Sequence, residues 1–369
     1  MKDQVSEVGV PSSPEGITPE WLTAALRAGG GGGDPTVTAV TIDPIGVGVG
    51  LMSLLFRVTP RYGSGNGPTT LVAKVAPPYP QVREIAAGYG FYGREVLVYQ
   101  ELGPDLGLRP PDLYFARHDP KTDDFVILME DLSHLRCADQ LTGCSIDDAR
   151  TVVTELARHH AAWWRDPRLD HLPYVQDWSQ PPYPQYNGQA GKDAWPIIEE
   201  RFGHLIPDRI RVLGDAWGDV GPALMQNFGD GAVTLTHGDV RLDNIFFDDR
   251  DDEPLSILDW QIAGRGPGAT DLGYFMSQSL AVDDRRRYED ELTRRYHDEL
   301  SAGGVTDYPF AEFWDDYRRA VLFCLCYPLQ GGAVELVNDR AVALATAMLE
   351  RSLNAIIDLD ADQLRADLA

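Results

Sequence analysis

Thr236-His237-Gly238-Asp239-Val240-Arg241-Leu242-Asp243-Asn244-Ile245-Phe246-Phe247 and, after the acidic block Asp248–Pro254, Leu255-Ser256-Ile257-Leu258-Asp259-Trp260-Gln261 decide how this chain is read. Val233–Thr236, Asn244–Phe247 and part of Leu255–Leu258 are β-branched or aromatic runs, and the polar block between the last two is turn-rich, so they predict a β-hairpin. If Phe247 faces Leu255 across the turn, Asn244 lies opposite Leu258 and beside Asp259. Asp239 falls on the loop feeding the first of these strands.

An Asp able to accept a hydroxyl proton, near an Asn and an Asp able to hold Mg²⁺, is the equipment of phosphoryl transfer. That chemistry asks for positioning, metal charge on the phosphates and a carboxylate that orients the nucleophile. Oxygen-only ligands suit Mg²⁺, which keeps waters and uses one or two carboxylates plus substrate phosphates. The competing reading is an acidic surface hairpin whose Asp and Asn residues only build turns.

On His237-Gly238-Asp239 with Asn244, and on Asp259-Trp260-Gln261 followed by Gly264–Gly268 and Asp271-Leu272, the chain resembles the aminoglycoside phosphotransferase family and its choline-kinase-like relatives. The resemblance implies an α+β, bilobal protein-kinase-like fold, with a small β-rich N-lobe at 1–131, a hinge near 129–132 and a larger, mainly helical C-lobe at 132–369. It implies Asp239 as catalytic base, Asn244 and Asp259 as metal ligands, and Asp271 as a brace for the catalytic loop. ATP with Mg²⁺ is the expected cofactor pair, and GTP stays open as donor.

Upstream, Gly46-Val47-Gly48-Val49-Gly50 lies between two predicted strands, Thr36–Ile42 and Ser53–Val58. Glycines there let the backbone approach phosphates, so Gly48, Gly50 and Ser53 are candidate nucleotide contacts; a tight strand connection would need no ligand. Arg61–Pro68 reads as a flexible loop. Lys74 then stands in the apolar strand Thr70–Ala76, where an ammonium is costly unless it snorkels or meets an anion. By resemblance it holds the α- and β-phosphates and pairs with a helix glutamate; a plain edge-strand lysine is the alternative. Tyr92, Val96, Tyr99 and Leu102 recur at helical spacing with Glu95 bordering their face, which favours Glu95 over Glu84 as that partner.

Pro111–Arg117 and Phe125–Met129 predict two more strands joined by His118–Asp124. The segment Met129–Leu132 resembles the family's hinge, whose backbone reads the adenine edge; Glu130 and Leu132 are the candidates there. Ser145-x-x-Asp148 predicts a capped helix to about Trp164, with Val152, Val153, Leu156, His160 and Trp163 inside. The adjacent His159 and His160 suit core packing or a carbonyl hydrogen bond better than a shared metal. In Asp166–Trp195 periodicity fades, and Tyr174, Trp178, Tyr183, Tyr186 and Trp195 either wall an acceptor pocket or cover the helical core. Gly264–Gly268 reads as a tight loop, in which Arg265 approaches phosphate or acceptor or stays on the surface. Asp271–Leu280, Asp283–Leu300, Phe310–Leu329 and Leu336–Ile357 predict the closing helices.

With 57 acidic against 32 basic residues and a formal charge of −25, the chain lacks the basic surface a nucleic-acid partner demands. Residues 1–16 look loosely attached and lack a signal-peptide apolar region, and no run approaches a membrane span. Four cysteines with no zinc spacing predict buried free thiols, and a cytoplasmic setting fits. The expected activity is ATP-dependent phosphorylation of a hydroxyl on a small-molecule acceptor. Leu242 stands where the antibiotic-resistance members have proline, which weakens the case for aminoglycosides and leaves hydroxyacyl or other lipophilic alcohols open; the alternatives are an aminoglycoside or other antibiotic O-phosphotransferase and a hydroxyacyl-CoA kinase. A nucleotide-binding pseudokinase is a further alternative.

Overall fold

The computed structural model describes residues 8–30, 33–46, 52–228, 231–250, 254–336 and 338–368. Its backbone forms two compact units, Met1–Arg136 with Ser256–Ile262, and Cys137–Leu255 with Ala263–Ala369. Gly48 and Gly50 lie outside the described residues.

The first unit is built on an antiparallel sheet. Strands β1 (Thr36–Ile45), β2 (Leu54–Ser64), β3 (Leu71–Val75), β4 (Leu113–Asp119) and β5 (Asp124–Glu130) pair in the order β1-β2-β3-β5-β4. Helix α1 (Pro19–Ala28) starts where Thr18 Oγ1 accepts the Trp21 amide, as the Thr-Pro pair predicts. Its Leu22, Ala25 and Leu26 close one core with Val58, Leu71, Ala73, Phe115 and Leu128. From Val8 onward the preceding segment is tied down rather than loose: Val8 and Ile17 are buried, Arg117 donates to the Val8 carbonyl at 2.6 Å, and Trp21 Nε1 to that of Gly9 at 2.8 Å, while residues 1–7 lie outside the described residues.

Arg61–Ser64 is strand, not loop. β1 supplies partners out to Thr36↔Ser64, whereas β3 stops pairing at Val58↔Leu71, so Pro60, opposite Val40, lies where β2 is open on its β3 side, the kind of edge position at which sheets tolerate proline. The turn between β4 and β5 is tighter than expected, with Asp123 at φ 54° donating its amide to the Asp119 carbonyl. Pro80–Tyr89 (α2) and Phe91–Leu97 (α3) are separate helices broken at Gly90, and α3 widens into a π turn at Val98–Leu102.

The second unit is mainly helical. Helix α4 (Ile146–Ala162) begins on its predicted cap, Ser145 Oγ accepting the Asp148 amide. The aromatic stretch contains a helix that weak periodicity hid, α5 (Tyr183–Phe202). Gly188, Gly191 and Pro196 weaken its signal, yet glycine at 191 is a packing need, since a Cβ would meet Trp217 Cδ1 at 2.0 Å. Trp217 opens α7 (Trp217–Asn227), which follows α6 (Asp208–Asp215). Tyr174 and Trp195 are buried while Tyr186 is exposed, so two of these aromatics serve the helical core.

Gly264–Pro267 is a strand rather than a loop. It pairs antiparallel with Val233–Thr236 and parallel with Gln176–Asp177, and Gly264, lacking a Cβ, admits the Trp178 indole. Helices α8 (Ala269–Ser279), α9 (Val282–Ala302), α10 (Phe310–Phe323), α11 (Cys326–Ala333) and α12 (Asp339–Asp358) complete the unit, the expected Phe310–Leu329 segment being two helices. All four cysteines are free; Cys324 and Cys326 are buried as expected, but Cys137 is exposed. Among the described residues no helix is long and apolar enough to cross a membrane.

Candidate active site

In the first unit Lys74 lies on β3, between Leu55 of β2 and Ile127 of β5. It is therefore a central-strand lysine, 3% exposed, and the edge-strand reading falls. Its ammonium reaches Glu95 Oε1 at 2.8 Å and Asp259 Oδ1 at 2.8 Å. Burial alone would strip its proton, but the Asp259 and Glu95 carboxylates more than reverse that, and the amine is held protonated. Burial pushes the Glu95 carboxyl up to about 7 even with Lys74 beside it. Glu84 is exposed on α2, so Glu95 is the partner.

Helix α3 is fastened to the Asp259 segment by residues the sequence reading did not single out for this role. Arg94, buried, donates to the Gln261 carbonyl at 2.7 Å and to that of Tyr89 at 2.6 Å. Tyr99, in the π turn, accepts the Asp259 amide on its hydroxyl at 3.2 Å. Asp259 itself is left-handed, φ 73°. Asp tolerates that region better than most residues, and such outliers cluster at functional sites.

Glu130 lies at the end of β5, where its carboxylate accepts from Arg109 Nη2 and the Asp112 amide. Leu132 is buried in a short 3₁₀ turn capped by Asp131. Arg57 meets Asp131 at 2.7 Å. Ser53 is half-buried immediately before β2.

In the second unit Asp239 and Asn244 share one loop. Asn244 Nδ2 donates to the Asp239 carbonyl at 3.0 Å and to its Oδ2 at 3.1 Å, which closes the loop between the two. The residues Leu242–Asn244 form a 3₁₀ turn, so the strand starts at Ile245, one residue later than expected. Asp248 donates its amide to the Pro254 carbonyl at 2.9 Å, closing the predicted turn.

The loop's first half is clamped by α8 and α11. Asp271, 1% exposed in the first turn of α8, accepts the His237 amide at 2.7 Å and the Gly238 amide at 2.8 Å. His160 of α4 reaches the same carboxylate at 3.2 Å and turns its other nitrogen to the Tyr296 hydroxyl at 2.7 Å. Burial would raise the Asp271 carboxyl, but the His160 hydrogen bond and charge, with His237, hold it below the usual range. Gly238 has φ 87°, a conformation that favours glycine, and its carbonyl accepts the Tyr327 hydroxyl at 2.7 Å. Tyr327 stacks on Tyr274 at 4.0 Å and 4°, and burial, with the Asp239 carboxylate nearby, raises the Tyr274 phenol well above its ordinary range. His159 meets the Leu235 carbonyl at 2.9 Å, the structural role expected for it. Arg265 is engaged by Asp170 at 2.6 Å and Asp177 at 3.3 Å.

The first unit thus assembles Lys74, Glu95 and Asp259, and the second Asp239 and Asn244. Asn244 carries a carboxamide oxygen and Asp259 a carboxylate, each a hard oxygen of the kind that suits Mg²⁺. Among the described residues no three His, Cys, Asp or Glu side chains cluster as a metal cage.

The ecdysteroid kinase-like family model matches residues 48–164 and 189–303, more than half of the chain. The chain belongs to the ecdysteroid kinase-like family. No curated protein sequence matches it. Solved structures share its protein-kinase-like fold. A candidate aminoglycoside phosphotransferase from Ralstonia eutropha is 17% identical over 93% of this chain and 97% of its own, TM-score 0.51. A choline/ethanolamine kinase family protein from Mesorhizobium loti is 15% identical over 95% and 99%, TM-score 0.50. The GDP complex of aminoglycoside 2'-phosphotransferase-IIIa is 14% identical over 86% and 93%, TM-score 0.50. At these identities the likeness is one of fold, and the expected α+β kinase-like architecture is the one found.

Proposed function

We propose that this member of the family transfers the γ-phosphoryl group of ATP to a hydroxyl of a small-molecule acceptor. The observation that carries the reading is Lys74: a buried, protonated amine on a central strand, held by Glu95 and Asp259 at 2.8 Å each. So costly a group is retained where an anion has to be gripped.

In this reading residues 1–131 form the nucleotide lobe, with the Gly48–Gly50 segment and Ser53 covering the phosphates and the Glu130–Leu132 backbone reading the base. Lys74 grips the phosphates while Glu95 fixes its direction. Asn244 and Asp259 hold Mg²⁺, which supplies positive charge to the phosphates. Asp239 takes the acceptor's hydroxyl proton as the new P–O bond forms and the bond to the β-phosphate oxygen breaks. The bond from Asn244 and the Asp271-braced loop hold its carboxylate in place.

The family's name points to steroid alcohols, and Leu242 to lipophilic acceptors generally. A panel of sterols, hydroxyacyl-CoA esters, choline, sugars, macrolides and aminoglycosides, screened for Mg²⁺-dependent ADP release with Asp239→Asn as blank, tests the reading. Acceptor-stimulated release that vanishes in Asp239→Asn supports it. Nucleotide binding with no acceptor stimulation across the panel would point to the pseudokinase, and absence of nucleotide binding would sink both.

A further inference from the structure

The loop carrying Asp239 and Asn244 is held at a further point, on its second half. The Leu242 amide donates to Gln140 Oε1 at 2.7 Å, across 102 residues of sequence, and Gln140 is fully buried. The other end of that carboxamide donates to the Gln278 carbonyl at 2.9 Å. Gln278 lies in the last turn of α8, where helix carbonyls have no partner within the helix. The same carbonyl accepts Arg351 Nη1 at 2.9 Å. Arg351, from α12, also donates to the backbone carbonyls of Gln140 at 2.7 Å and Leu141 at 2.8 Å.

Two consequences follow from chemistry alone. The Gln140 carboxamide has one productive orientation, because a flip would set its NH₂ against the Leu242 amide and its oxygen against the Gln278 carbonyl. And α8 now meets the loop from both ends. Its first turn holds His237 and Gly238 through Asp271, and its last turn holds Leu242 through Gln140. A helix of 11 residues is a strut of roughly 16 Å, and the loop is strung along it.

We propose that Gln140, locked by Arg351 at the C-terminal end of α8, is a positioning residue that fixes the Leu242 amide and with it the spacing of Asp239 and Asn244. The proposal rests on the roles given to those two residues above. A Gln140 that merely filled a buried polar site would stabilise the fold without bearing on the loop, and the backbone offers a way to tell the two apart. Leu242 opens a 3₁₀ turn, and Arg241 before it is extended at φ −110°, ψ 158°. That is the conformation required of a residue preceding proline, and proline is at home in the first position of a helical turn. Leu242→Pro therefore removes the N–H that Gln140 serves at a position where the preceding backbone already suits proline, and the buried leucine side chain it also removes is missing from both arms of the comparison.

The experiment is a double-mutant cycle of Gln140→Met and Leu242→Pro in the full chain. It is read by amide exchange of peptides spanning 237–247, by thermal melting, and by steady-state kinetics with an acceptor found in the panel. Gln140→Met is expected to speed exchange in the loop and lower kcat about tenfold, with nucleotide KM within about twofold; in the Leu242→Pro background the same substitution should change either by less than about twofold. Arg351→Lys, which keeps the charge but loses the forked contacts, should move the loop in the same direction, and serves if Gln140→Met does not fold. Equal losses in both backgrounds, or an undisturbed loop in Gln140→Met, would overturn the proposal. Exchange needs no acceptor, so a chain without phosphoryl transfer would refute the proposed function while the cycle still decided whether Gln140 holds the loop.

Discussion

Lys74 and Glu95 meet at 2.8 Å with side chains 4% and 0% exposed, and the amine turns a second bond to Asp259. Removing one member of a buried ion pair typically costs about 3–5 kcal/mol, because the other charge is stranded. Here Glu95, already pushed up to about 7, can take a proton instead. Lys74→Met should therefore lose less than that range in urea unfolding, yet lower ATP affinity at least about tenfold by fluorescence titration, the phosphate cation being gone. A Lys74→Met protein that binds ATP like wild type would remove the basis of the nucleotide assignment.

Glu95 also predicts a pH dependence. Burial pushes its carboxyl up to about 7 in the folded chain from an ordinary value of 4.5. Between those values the folded state keeps a proton that the unfolded state has released, so stability falls as pH rises. Glu95's contribution is full below 4.5 and lost as pH climbs through 7. Glu95→Gln has no such proton. Urea midpoints at about pH 5 and about pH 8 should show wild type losing more than Glu95→Gln over that interval. A parallel decline in both proteins would show that Glu95 is ionised throughout.

Much of this was legible because the informative residues sit where local rules and chemistry agree. An ammonium in an apolar strand, a Ser-x-x-Asp cap and apolar residues at helical spacing each dictate a local outcome. What stayed hidden depends on partners far away in sequence. Arg61–Ser64 looks like loop until β1 supplies its ladder, and α5 looks irregular until Trp217 explains Gly191. His160, Tyr327 and Gln140 carry no local sign of serving the Asp239 loop; their partners lie 111, 89 and 102 residues away. Asp271 was placed as a brace by resemblance, and its bonds to His237 and Gly238 give that placement its geometry.

Gly238 offers a test of backbone strain inside the motif. At φ 87° an added Cβ is penalised whatever space surrounds it, by about 1–3 kcal/mol. Gly238→Ala can relieve the strain only by turning its peptide, which breaks the amide bond to Asp271 or the carbonyl bond from Tyr327. Destabilisation of that size in urea, with turnover falling more steeply than nucleotide affinity, is the expected result. An alanine variant as stable as wild type would mean that the loop has another conformation of nearly equal energy.

Asp271 gives the sharpest separation between holding the loop and doing chemistry. Its carboxylate accepts two backbone amides and faces His160. Asp271→Asn keeps the shape but turns one acceptor into a donor facing an N–H, and charge-assisted bonds of this kind are worth about 1.5–3 kcal/mol each. The folded carboxyl lies below its ordinary value of 3.8, so its contribution is present above that pH and is lost as pH falls through the folded value. The stability gap between wild type and Asp271→Asn should thus be widest near neutrality and narrow in acid. Turnover should fall with the loop's amide protection while ATP affinity, which the proposed function assigns to Lys74 in the other unit, is retained. If ATP affinity fell in step with turnover, Asp271 would be supporting the whole fold rather than the Asp239 loop.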